Sequence, residues 1–143
     1  MRRRALILVT VTLVAGAALA HEGVKNPAVM ERMQSMKTIA AQLEILGPMS
    51  KQPDAFDAAK ASTALNLIAL ETERTVSLFE AKEDDPKSEA RAEIWQAFDD
   101  FTVKADALQT AAENAQAGTM EELQATMRAL GATCKECHRL YRE

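Results

Sequence analysis

The last twenty-five residues, 119–143, constrain the fold of this chain most tightly. Thr119 followed by Glu122 three positions later is the signature of a capped helix start, where hydroxyl and carboxylate each satisfy the other residue's backbone N–H. From there Met120, Leu123, Met127, Leu130, Cys134, Cys137 and Tyr141 recur at steps of three and four, so they share one face of one helix. A helix with a single apolar stripe must bury it against other elements. Beyond residue 20 the chain is poor in β-branched residues and rich in Ala, Leu, Met and Glu, so those elements are helices too.

Punctuation divides the remainder into three more helical stretches. Helix A is expected over about 27–46, with Asn26 as N-cap, Pro27 at the first helical position and Gly47-Pro48 as its end. Val29, Met33, Met36, Ala40 and Leu43 form its stripe. Helix B is expected over about 54–80, with Ala61, Leu65, Ile68 and Phe79 near one face, and a charged loop containing Pro86 follows it. Helix C is expected over about 89–117, with the stripe Ile94, Phe98, Phe101, Ala105, Leu108, Ala112 and Ala115, and Gly118 ends it. Helix D is the capped segment already described. The fold class is therefore all-α, an up-down-up-down four-helix bundle. Antiparallel neighbours put early A, late B, early C and late D at one end of it.

The first twenty residues have the pattern of a secretory signal. Arg2, Arg3 and Arg4 precede an apolar run, and Ala18-Leu19-Ala20 fits a small-x-small cleavage site. The competing reading, an uncleaved anchor, needs about 20 apolar residues, more than the run supplies. The expected division is thus 1–20 signal peptide and 21–143 a single domain, destined for the periplasm. Removal of the signal leaves fourteen basic against twenty-one acidic residues, a net charge of −7. That disfavours nucleic acid and anionic lipid as partners. Both cysteines of the chain lie in helix D, so no thiol remains for a structural disulfide.

Those cysteines carry the chemistry. Cys134-Lys135-Glu136-Cys137-His138 is the C-x-x-C-H pattern of c-type haem attachment. Each thiol can add to one vinyl group, and the adjacent imidazole can bind the iron. Zinc would need four ligands, and the only other histidine is His21 at the expected N-terminus. A redox C-x-x-C belongs beside a βαβ pattern, which the chain lacks. Because the cysteines fall on the core stripe, and His138 stands four after Cys134, the haem is expected to be inserted between helices. For the opposite face of the iron, early helix A offers Met30, Met33 and Met36, any of which can be a thioether ligand or ordinary core. Trp95 is expected to pack on the porphyrin or in the core, and Leu78 and Phe79 to form an apolar wall. Arg32 and Arg142 are candidates for pairing with haem propionates, or are solvated surface residues.

The chain resembles the cytochrome c' superfamily, the class II c-type cytochromes, over its whole mature length. The stretch 131–142 is very similar to that family's last helix, including the aromatic-arginine pair after the histidine. Glu93-Ile94-Trp95 is similar to the start of its third helix. Glu31-Arg32-Met33-Gln34-Ser35-Met36-Lys37 resembles the first-helix motif of its low-spin members, where a methionine four after an arginine is the sixth iron ligand. The resemblance therefore singles out Met36, with His138 opposite. It implies one covalent haem c through Cys134 and Cys137 and a non-enzymatic electron carrier that meets redox partner proteins. It also implies a tendency to homodimerise. The alternative it carries is a five-coordinate, high-spin protein that binds nitric oxide or carbon monoxide beside a non-ligating Met36. Outside the haem class, a helical metal or adaptor module is the remaining reading.

Overall fold

Asn26 caps the first helix as its position predicts: its Oδ1 accepts from the backbone N–H groups of Ala28 and Val29 at 2.9 and 3.2 Å. The computed structural model describes residues 23–143. The expected signal segment 1–20 and His21 lie outside the described residues. From Asn26 onward the chain forms α1 (Pro27–Met49), a 3-10 turn (Pro53–Ala55), α2 (Ala58–Glu73), α3 (Thr75–Phe79), α4 (Glu93–Gln96), α5 (Phe98–Glu113) and α6 (Met120–Tyr141). Helix B is α2 with α3, helix C is α4 with α5, and the result is a four-helix bundle. No described helix is long and apolar enough to cross a membrane.

The boundaries depart from expectation where side chains compete for the backbone. Helix α1 runs through Gly47-Pro48 to Met49 instead of stopping at Leu46. Pro48 has no N–H to donate, but the loss falls in the last turn. Ser50 N–H donates to Leu46 O at 3.0 Å, and Met49 is buried. Helix B breaks at Arg74, where hydroxyls capture nearby carbonyls: Thr72 donates to Ala69 O, Thr75 to Glu71 O and Ser77 to Arg74 O. Such back-bonding bends helices. Helix C breaks at Ala97, whose φ of −134° and ψ of 50° are not helical. Residues 89–91 are extended rather than helical. They pair with the C-terminal tail through an antiparallel Ala90–Arg142 bridge, Arg91 N–H to Tyr141 O and Glu143 N–H to Glu89 O, both 3.0 Å. The far end of helix C stops at Glu113, because Thr126 Oγ1 accepts from Gln116 N–H and donates to Gln116 O.

Helix α6 has the expected start, with Thr119 and Glu122 forming the reciprocal cap. Gly118 leaves room for it, since a Cβ there would stand 2.9 Å from Glu122 Oε2.

Helix α1 packs chiefly on α2, α2 on α5, and α5 on α6, while the fourth side of the square, α1 against α6, is the most open. The core is in two parts. The larger includes Ile39, Leu46, Ile68, Leu108, Leu123 and Leu130. The smaller is Phe79, Ile94, Phe101 and Tyr141, drawn from α3, α4, α5 and the end of α6. The expected stripe of α1 is displaced: Val29, Arg32, Ser35, Ile39, Leu46 and Met49 are buried, Met33, Met36 and Leu43 are half-buried, and Ala40 is exposed. Polar residues occupy two core-facing positions, which a search for apolar periodicity passes over. Ser35 is satisfied there by donating to Glu71 Oε2 at 2.7 Å.

Candidate functional site

The cysteines stand on the last two turns of α6 at the boundary between the core parts. Both thiols are free and half-buried, with Cys134 against the larger core and Cys137 against the aromatic cluster. Burial raises the pKa of both thiols, and for Cys137 burial and then the neighbouring Cys134 push it up to about 11. Both are therefore neutral thiols near pH 7. His138 is exposed, and this corrects the expectation that it shares the core-facing stripe. At 100° per residue it falls at the edge of that stripe, and Tyr141, three residues on, takes the buried position. With Lys135, Arg139, Arg142 and Glu143 it lines an open depression. Although the residue is exposed overall, partial desolvation of its ring, followed by the Arg142 charge, lowers its pKa. The neutral imidazole, which has a free lone pair, is favoured.

The expected meeting of four helix segments occurs. Met36 of α1, Leu78 of α3, Trp95 of α4, Phe98 of α5, and Cys137 and Leu140 of α6 are all half-buried around the aromatic cluster. Met36 also packs against the larger core, as Cys134 does. Within the cluster Phe101 is central. Its ring centroid lies 5.1 Å from Phe79, 5.8 Å from Phe98 and 5.5 Å from Tyr141, the last edge-on at 82°.

Trp95 donates its indole N–H to Phe79 O at 2.8 Å. Arg32 is 3 % exposed, which excludes the solvated-surface alternative for it. Its Nε donates to Leu78 O at 2.7 Å, its Nη1 to Glu83 O at 2.9 Å, and its Nη2 to Ala81 O. The guanidinium also lies 5.0 and 5.2 Å from the centroids of Phe79 and Trp95, within cation–π range. Arg142 is exposed, and its Nε and Nη2 bind Glu89 Oε2 at 2.6 and 2.5 Å. Each arginine thus has a partner within the chain.

The sequence reading missed two groups. Tyr141 donates its hydroxyl to Asp100 Oδ2 at 2.6 Å, and Asp100 pairs with Lys104. Asp85 accepts the backbone N–H groups of Lys25, Asn26 and Lys87 and so ties the start of α1 to the loop before α4. No local signal marks either, since the partners stand 41 positions apart in the first case and up to 60 in the second.

The donor chemistry fits a haem. Among the described residues no three or more His, Cys, Asp or Glu side chains gather as a metal-ion site. A porphyrin brings its own in-plane ligands, so it asks the protein only for one or two axial donors and a means of attachment. Two adjacent thiols, one imidazole, a half-buried thioether and aromatic walls beside the open α1–α6 side supply these.

The family model described as Cytochrome C' matches residues 27–142. A cytochrome c-554 from Cereibacter sphaeroides is 36% identical, over 100% of this chain and 99% of that protein. A solved cytochrome c' from Shewanella frigidimarina superposes with a TM-score of 0.74 at 29% identity, over 81% of this chain and 94% of that one. A variant cytochrome c' from Alcaligenes xylosoxidans, solved as its nitric oxide complex, superposes with a TM-score of 0.73 at 26% identity, over 81% and 94%.

Proposed function

This chain belongs to the cytochrome c' family and carries one covalent c-type haem, and from that we propose that it is a periplasmic mono-haem electron carrier, not an enzyme, with His138 and Met36 as axial ligands. The haem supplies a one-electron couple at its iron. Cys134 and Cys137 anchor it through thioether bonds, which fix its distance from α6 and keep His138 beside it. Met36, packed against both core parts, would supply the second donor. Thioether ligation favours the ferrous state and raises the reduction potential. The aromatic wall of Phe79, Trp95 and Phe98 excludes water on one side, and the exposure of His138 leaves an edge for a partner protein.

The observation that carries this reading is the position of Met36, half-buried and packed against both core parts that the cysteines touch. The ferrous absorption spectrum with and without carbon monoxide tests it. Low-spin bands that carbon monoxide leaves unmoved are expected, and Met36→Ala should convert them to a high-spin spectrum that shifts on adding the gas. A parent protein that is already high-spin would refute Met36 ligation. It would favour the second reading, supported by the nitric oxide complex of the Alcaligenes neighbour, in which the chain binds nitric oxide or carbon monoxide with Met36 as a wall. Homodimerisation, the other expectation, is checked by sedimentation of the haem protein.

A further inference from the structure

A helix ends with carbonyls that have no partner within it. Helix α3 is only five residues long and stops at Phe79, yet the carbonyls around its end are satisfied by two side chains from elsewhere. Arg32 of α1 takes Leu78 O, Ala81 O and Glu83 O, and Trp95 of α4 takes Phe79 O. The guanidinium sits within cation–π range of both Phe79 and Trp95, so the clamp and the aromatic wall are one unit. The start of α1 is tied to the same loop a second time, through Asp85 and the N–H groups of Lys25 and Asn26 at 2.8 and 3.1 Å. Two ties, roughly the length of two helical turns apart, fix both the height and the rotation of α1 against the end of helix B. Met36 is four residues after Arg32, hence its neighbour on the helix surface.

We propose that Arg32 is a positioning residue: by clamping the 78–83 turn to α1 it holds Met36 at the place from which its sulfur reaches the haem iron. Three of the five guanidinium N–H groups are engaged in the clamp. Lysine cannot reproduce the clamp, because an ammonium is a point donor and not a planar fork. The inference rests on Met36 being the sixth ligand.

The test uses the intact haem protein with Arg32→Met, Arg32→Lys and, as a reference, Met36→Leu. Two readouts are needed: the carbon monoxide response of the ferrous spectrum, and hydrogen exchange of the backbone amides over 78–87. Arg32→Met should make the iron open to carbon monoxide and speed exchange in that segment by about tenfold, the effect of losing hydrogen bonds to a charged donor. Arg32→Lys should fall between this variant and the parent on both readouts. Should Arg32→Met not fold, Arg32→Lys and Trp95→Phe, which removes the bond to Phe79 O and shrinks the ring against the guanidinium, must move both readouts in the same direction. Faster exchange with an unchanged spectrum would overturn the proposal, because Arg32 would then stabilise the turn without placing Met36. An unchanged spectrum in Met36→Leu would refute the ligand reading beneath it, a separate failure. A response to Met36→Leu with none to the Arg32 variants would refute the positioning role alone.

Discussion

Replacing Phe101 by leucine isolates what the aromatic cluster contributes at the haem-bearing end. Phe101 is 3 % exposed and touches three other rings, at 5.1, 5.8 and 5.5 Å. Leucine keeps most of the apolar burial, so the loss is dominated by ring–ring terms of about 0.5–1.5 kcal/mol each. Three such terms that do not add fully give a destabilisation of about 2–3 kcal/mol. For a domain of this size that corresponds to roughly 6–15 °C in melting temperature. Phe98→Leu is the control, because Phe98 is half-buried and makes one ring contact, with Phe101. It should lose only about 0.5–1.5 kcal/mol. Urea unfolding of the haem protein, followed by circular dichroism, measures both. Equal losses in the two variants would refute the argument that the hub position of Phe101, and not generic apolar bulk, holds this end together.

Three further outcomes follow from individual residues. Backbone N–H groups, that of Lys25 first and then those of Lys87 and Asn26, hold the Asp85 carboxyl below the usual carboxylate range. Its stabilising contribution is therefore present above the unfolded value of about 3.9 and is lost as pH falls through the lower folded value. Urea midpoints between about pH 2 and 6 should show a flatter acid limb for Asp85→Asn than for the parent. The Tyr141 phenol is pushed up to about 12 by burial and then by its bond to Asp100. Folded pKa above unfolded means that its contribution is complete below about 10 and lost as pH rises through about 12. Ultraviolet titration should show no phenolate until the chain is close to that upper value, and an ordinary titration would refute the Asp100 contact. Pro48→Ala restores an N–H to the last turn of α1 and should stabilise the chain by about 1–2 kcal/mol in thermal melts, since a misplaced proline costs more than the unfolded-state freedom it removes.

Much of the site was legible because its signals are local. The cap at Thr119 and Glu122, the stripe through Leu123, Leu130 and Tyr141, and the two thiols on that stripe lie within one helix. Helix connectivity then brought Met36, Leu78, Trp95 and Cys137 to one end, as the structure has them. His138 was less legible. A spacing of four places it beside Cys134, but whether that edge is covered depends on which helix packs there, and none covers it. The burial of Arg32 and Ser35 was not legible, for a different reason. Charge and hydroxyl argue for solvent, and only carbonyl or carboxylate partners at the right height make burial favourable.

By itself, then, the sequence determined four amphipathic helices, their antiparallel order and a C-x-x-C-H motif on the fourth whose two cysteines attach a haem. Caps, propensities and three-and-four spacings act between residues within one or two turns, so they are written in neighbouring letters. Tertiary structure alone decided the rotation of α1, the breaks at Arg74 and Ala97, the pairing of 89–91 with the tail, and the clamp of Arg32 on carbonyls 46 to 51 positions away. Each of these exchanges a hydrogen bond to water or to the local helix for one to a distant group. Such an exchange becomes favourable only after packing has brought the partners together and removed the water between them.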